Sequence, residues 1–127
     1  MSERIVAEQL IQQLHAARVA GDLTAMCRVF ADDGRFEILG AGADKSIAIR
    51  ANDLSEFRPW LAMMVKVFRI SNYQLLSLTV EWPRAAAHWR ADIYSKVTGV
   101  TVATELVDIV QLNEDSILTY TEFFAPR

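Results

Sequence analysis

The hydrophobic period of this chain changes once, near residue 69, and no other feature constrains the fold as strongly. Before that point apolar residues recur at helical spacing; after it they alternate with polar ones. Ala7, Leu10, Ile11, Leu14 and Ala17 share one face of a predicted helix. Ser2 can cap its start, Glu3 suits its first turn, and Gly21 closes it. Asp22 then caps a short second helix with Leu23, Met26, Cys27 and Phe30 on one face. The stretch DDGRFEILGAGAD reads as a short strand running into a Gly-rich loop, and KSIAIRAN as a second short strand. Asp32 and Asp33, at the exit of the second helix, read as capping or turn residues. DLSEFRPWLAMMVKVF predicts a third helix starting near Ser55, because Pro59 is tolerated only close to a helix start. Its apolar stripe would be Trp60, Leu61, Met64, Val65 and Phe68. Strand patterns then cover residues 72–82, 86–98, 101–112 and 117–124, with turns at Pro83–Arg84, at Gly99 and at NEDS (113–116). Such short links imply antiparallel neighbours. The expectation is an α+β fold, with three helices from the N-terminal half covering one face of a curved sheet.

With 127 residues, the chain suits one domain spanning 1–127. A domain of that size buries roughly two-thirds of the surface its unfolded chain exposes. Net charge is −3 and Lys and Arg are dispersed. Phosphate binding needs concentrated positive charge, so nucleic acid is not an expected partner. Cys27 is the single cysteine, which excludes an intrachain disulfide and a thiolate metal cluster. In an apolar stripe with nothing basic nearby in sequence, it reads as an inert core thiol. No apolar run approaches the ~20 residues that span a bilayer, and the N-terminus lacks a signal-peptide pattern. A cytoplasmic protein without a membrane partner is expected. GAGAD lacks the phosphate-loop pattern, and the two histidines, His15 and His88, lack metal-ligand spacing. No metal or cofactor is implied.

The segment HWRADIY (88–94) poses the functional question. One face of this strand carries Trp89, Ala91 and Ile93; the other carries His88, Arg90, Asp92 and Tyr94. Three helices cover only one side of a sheet, so the Trp89 face could be the core and the polar face wet. Alternatively the polar face looks into a cleft. Trp89, Ile93 and Val97 would then pack against a second subunit. Asp108 shares its face with Leu106 and Val110, and Glu122 with Leu118, Tyr120 and Phe124. Glu105 has the opposite parity, with Val107 and Ile109. A carboxylate flanked by large apolar side chains invites a partner, and Arg90 is the obvious candidate.

Two segments, GDLTAMCRVFADDGRFEI (21–38) and VDIVQLNEDSILTYTEFFA (107–125), together with the order and lengths of all elements, resemble the SnoaL-like branch of the nuclear transport factor 2-like superfamily. The resemblance implies a cone of curved sheet closed by helices around a pocket, often dimeric through the convex side. Limonene-1,2-epoxide hydrolases on this fold use an Arg-x-Asp on one strand and a second acid on the last. Arg90-Ala91-Asp92 and Glu122 match these positions, while Phe36 and Ile38 occupy those of that family's water-holding residues. Asp108 falls where ketosteroid isomerases keep a protonated Asp; Ile38 and Leu14 stand at the positions of their base and their Tyr. SnoaL-like cyclases need little more than one acid/base carboxylate in an apolar pocket.

The site so implied has Arg90, Asp92, Asp108 and Glu122 as its polar floor. Leu14, Phe30, Phe36, Ile38, Trp60, Met64, His88, Tyr94, Leu106 and Tyr120 line it. Its ligand is a small hydrophobic molecule, on which the acids perform hydrolysis, isomerisation or cyclisation. The alternative is a non-catalytic ligand-binding or dimerisation module with a structural Arg90–Asp92 pair.

Overall fold

The computed structural model describes residues 2–41 and 46–127, and its element order follows the expected pattern. Helix α1 spans Glu3–Ala20 and α2 spans Leu23–Arg28. Strands β1 (Phe30–Ala41) and β2 (Ser46–Ala51) lead into helix α3 (Leu54–Val67). Strands β3 (Phe68–Glu81), β4 (Arg84–Ser95), β5 (Thr101–Leu112) and β6 (Ile117–Pro126) complete the chain. The caps are those the sequence offers. Ser2 Oγ accepts from the Ile5 amide, Asp22 from Ala25 and Asp53 from Glu56. Gly21 takes a left-handed conformation, with φ of 69°, to close α1. Helix α3 therefore begins one residue earlier than expected, with Asp53 as its cap.

Among the described residues, six strands form one sheet in the order β2-β1-β6-β5-β4-β3. Only β1 and β6 run parallel; every other neighbouring pair is antiparallel. β1 is longer than the expected short strand, because Asp32 and Asp33 lie within it, at a register shift between Phe30 and Arg35. Gly34 lies beside that shift. A Cβ there would come within 2.5 Å of the Leu118 carbonyl oxygen. Gly40 and Ala41 of the expected Gly-rich loop continue β1, and residues 42–45 lie outside the described ones.

The inner face of the sheet packs on the helices. It carries Phe36 and Ile38 from β1, Ala85, Ala87, Trp89 and Ala91 from β4, Leu106 and Val110 from β5, and Tyr120 from β6. The main core joins the β1 half of this face to Ile11, Leu14, Met26, Phe57 and Leu61. A smaller cluster of Trp89, Ala91 and Leu106 forms the β4–β5 half. In α3 the buried stripe is Phe57 and Leu61, with Met64 and Val65 half-buried. Trp60 sits at the flank of that stripe and is 42% exposed, and Phe68 already belongs to β3.

Candidate functional site

The polar face of HWRADIY looks outward. Trp89 is fully buried, while its neighbours His88 and Arg90 are half-exposed on the opposite face. The cross-strand register fixes this: Trp89 pairs with Leu106, and Arg90 with Glu105. On that outer face His88 Nε2 lies 2.5 Å from Glu105 Oε1, and Arg90 Nε donates to Glu105 Oε2 at 3.0 Å. The hydrogen bond from His88, with Arg90 beside it, holds the Glu105 carboxyl below its ordinary range. Asp92 accepts from Asn72 at 2.7 Å and lies 3.7 Å from the Arg127 guanidinium. Arg90 and Asp92 thus have separate partners, which removes both the expected catalytic floor and the alternative Arg90–Asp92 pair. Tyr94, on the same outer face, and Trp60 are too exposed to line an interior pocket. Trp89 is a core residue and Val97, though exposed, lies in a turn beyond β4, so Trp89, Ile93 and Val97 form no continuous exposed stripe.

Two expected acids do turn inward. Asp108 and Glu122 are direct partners across β5 and β6, 0% and 2% exposed. Their partners come from helix α1. His15 Nε2 lies 2.7 Å from Asp108 Oδ2, and His15 Nδ1 lies 2.6 Å from the Tyr73 hydroxyl on β3. Arg18 donates to Glu122 Oε1 and, at 3.4 Å, to the Tyr120 hydroxyl; Tyr120 donates to the same Glu122 oxygen at 3.0 Å. Trp89 underlies both α1 side chains. Its ring lies 4.6 Å from the His15 ring and 5.1 Å from the Arg18 guanidinium carbon. Among the described residues, Asp108 Oδ1 and Trp89 Nε1 have no hydrogen-bond partner.

The sequence does carry a signal for these helical partners. His15 and Arg18 stand four and seven residues after Ile11, on the apolar stripe of α1. A charged or polar residue on a buried stripe requires a buried counterpart. Asp108 and Glu122, flanked by apolar neighbours, supply it.

Burial dominates the electrostatics. It raises the Glu122 pKa, Arg18 opposes that shift, and nearby Asp108 adds to it; the result lies above the ordinary value. The Tyr120 hydroxyl is pushed far up, first by burial and then by Asp108 and Glu122. Tyr73 rises less, again from burial and Asp108. Burial alone would lower Arg18, but Glu122, Tyr120 and Asp108 together outweigh it and hold the guanidinium protonated.

Glu122, Arg18 and Tyr120 form one wall of an interior cavity. Leu14, Phe30, Ile38, Phe57 and Met64 are among its apolar walls. Its volume is about 10 Å³, which barely reaches the space of a water molecule. The filling is aromatic. Phe36 stacks on Phe57 at 4.7 Å, and Phe30 meets Phe36 and Tyr120 edge-on at 5.0 and 5.5 Å. Of the expected lining residues, Leu14, Phe30, Ile38, Met64 and Tyr120 do line this small cavity, whereas Phe36 and Leu106 are buried as packed core. A separate open groove of about 420 Å³ lies on the other side of α1, lined by Gln12, His15, Ala16, Val19, Ala20 and Tyr73.

Residues 11–120 match the family profile of the SnoaL-like domain. Among curated proteins none matches the chain. Three solved structures show the breadth of the fold. A protein of provisional isomerase assignment from Bacillus subtilis superimposes with a TM-score of 0.84 at 13% identity, covering 98% of this chain and 89% of that one. A provisionally assigned polyketide cyclase from Xanthomonas campestris pv. campestris gives 0.76 at 22% identity, over 96% and 92% of the two chains. An LEH-like epoxide hydrolase from M. tuberculosis gives 0.72 at 9% identity, over 94% and 83%. At these identities the likeness is one of fold, that of the nuclear transport factor 2-like proteins.

Proposed function

The chain belongs to the SnoaL-like domain family, and from that premise we propose that its inner sheet face performs acid/base chemistry on a small hydrophobic molecule. Glu122 is the proton-handling group. One observation carries the reading: a buried carboxyl with a raised pKa, held by Arg18 and Tyr120, forms the polar wall of an otherwise apolar cavity. Proton transfer is most effective when the group's pKa lies near working pH, and burial moves a carboxyl that way. The neutral Glu122 donates its proton to a developing oxyanion on the ligand. The carboxylate left behind is stabilised by Arg18, which stays protonated throughout. Asp108 is the second acid of the site, and His15 orients it.

Phe36 and Ile38 narrow the reaction type. Neither can hold an attacking water, and both are buried beside Tyr120 and Glu122 on the partner strand. Isomerisation or cyclisation, in which the protein need only move protons while the ligand's own bonds rearrange, fit better than epoxide hydrolysis. A ligand enters by displacing side chains. Met26 and Met64 line the cavity, and unbranched thioethers repack readily. The test is turnover of a panel of enolisable ketones, β-dicarbonyl polyketide mimics and epoxides by the wild type and by Glu122→Gln. The substitution should lower turnover by roughly 100-fold or more. Equal turnover by both proteins would end the reading.

The nearly filled interior favours a second reading, a non-catalytic dimerisation module. Its surface is the outer sheet face, where Leu39, Val107 and Phe123 are direct cross-strand partners and Ile109 lies alongside. Ile109 and Phe123 are 46% and 43% exposed. A homodimer through this face is compatible with either reading. We also place the protein in the cytoplasm, where a lone buried thiol such as Cys27 stays reduced.

A further inference from the structure

Asp108, the second acid of the site, is fully buried, yet an acid that takes part in proton movement must exchange protons with water. The inner cavity holds only about 10 Å³, and Asp108 is not among its walls. On the other side of α1 the arrangement differs. The open groove reaches both Tyr73 and His15. From there the hydrogen bonds run inward without a gap: Tyr73 hydroxyl to His15 Nδ1 at 2.6 Å, then His15 Nε2 to Asp108 Oδ2 at 2.7 Å. Asp108 is the cross-strand partner of Glu122.

We propose that Tyr73, His15 and Asp108 form a proton relay, joining buried Asp108, the acid beside Glu122, to the groove behind helix α1. The line would run through the helix side of the fold, not through the cavity that takes the ligand. It rests on the reading of Glu122 as the proton-handling group, but its own chemistry can be followed without a substrate.

The steps balance proton by proton. A proton arrives from groove water at the Tyr73 oxygen as that hydroxyl passes its own proton to His15 Nδ1. His15 releases its Nε2 proton to Asp108 Oδ2. Asp108 is then neutral, Tyr73 is again a neutral phenol, and His15 is again neutral, with its proton on Nδ1. The reverse sequence discharges Asp108. Imidazole suits the middle position because it binds at one nitrogen while releasing at the other. Loading Asp108 also removes a negative charge beside Glu122, so Glu122 gives up its own proton more readily. The groups facing His15 and Asp108 are Arg18 from α1, Tyr73 from β3, Trp89 from β4, and Tyr120 and Glu122 from β6. Of these, Tyr73 alone lines the groove.

The test is the exchange rate of the His15 ring N–H with water, read by NMR on ¹⁵N-histidine-labelled protein. Tyr73→Phe should slow exchange at least ten-fold with the helical and sheet structure intact. Val19→Trp provides a second route, since Val19 is 40% exposed at the groove wall and its enlargement blocks the groove without touching the core. It should slow exchange several-fold. Unchanged or faster exchange in Val19→Trp, or in folded Tyr73→Phe, would overturn the relay. Failure of the function proposal looks different: Glu122→Gln would keep full turnover while Tyr73→Phe still slowed His15 exchange.

Discussion

Trp89 and Arg90 are adjacent in sequence and face opposite sides of the sheet, and the larger apolar residue decides which side is core. Burying an indole stabilises by several times what a half-exposed ion pair contributes. His15 then sits over that indole with its ring nitrogens committed to Asp108 and Tyr73. Removing one member of a buried pair leaves an uncompensated polar group. His15→Ala should therefore cost about 3 kcal/mol of stability, measured by urea unfolding. By contrast, Arg90→Ala, on the outer face, should change stability by less than about 1 kcal/mol. Glu122 gives the protein a pH dependence of definite sign. Its folded-state pKa is raised, so the associated stability is complete below the ordinary value of 4.5 and is lost as pH rises through the higher folded value. Melting temperature across that window should fall more steeply in the wild type than in Glu122→Gln.

Element by element, the sequence was most readable where one rule acted alone. Helix α1, with Ser2 and Gly21 at its ends, follows from period and caps. The β5 strand follows from alternation and occupies the predicted residues 101–112. In α3 two rules competed. Pro59 suggested a start near Ser55, but Asp53 accepts from the Glu56 amide while Glu56 accepts from the Asn52 amide, a reciprocal cap that fixes the start at Leu54. Asp53→Ala should cost about 1 kcal/mol, seen as a lower denaturation midpoint. The candidate site was half legible. The parity of Asp108 and Glu122 is evident in their apolar neighbours, whereas the sequence points to Arg90 on β4 as their partner. Which face of β4 meets the helices depends on sheet curvature and on α1, and period two is symmetric between the faces. His15 and Arg18 could be recognised only by treating them as anomalies on the α1 stripe.

For the whole molecule, the helices occupy one side of the sheet and leave the other with Leu39, Val107, Ile109 and Phe123 together in its centre. Sedimentation at micromolar concentration should show a dimer that Ile109→Lys converts to monomer, with melting of the monomer little changed. A wild-type monomer would remove the outer face as an interface. The inner face carries the larger claim: that a buried Glu122, set between Arg18, Tyr120 and Asp108, is an acid with an elevated pKa. The direct measurement is a ¹³C NMR titration of the Glu122 carboxyl in the intact protein. A midpoint clearly above 4.5 is predicted. A midpoint at or below 4.5 would make Glu122 the permanently ionised partner of Arg18, and the acid/base account of this face would be contradicted.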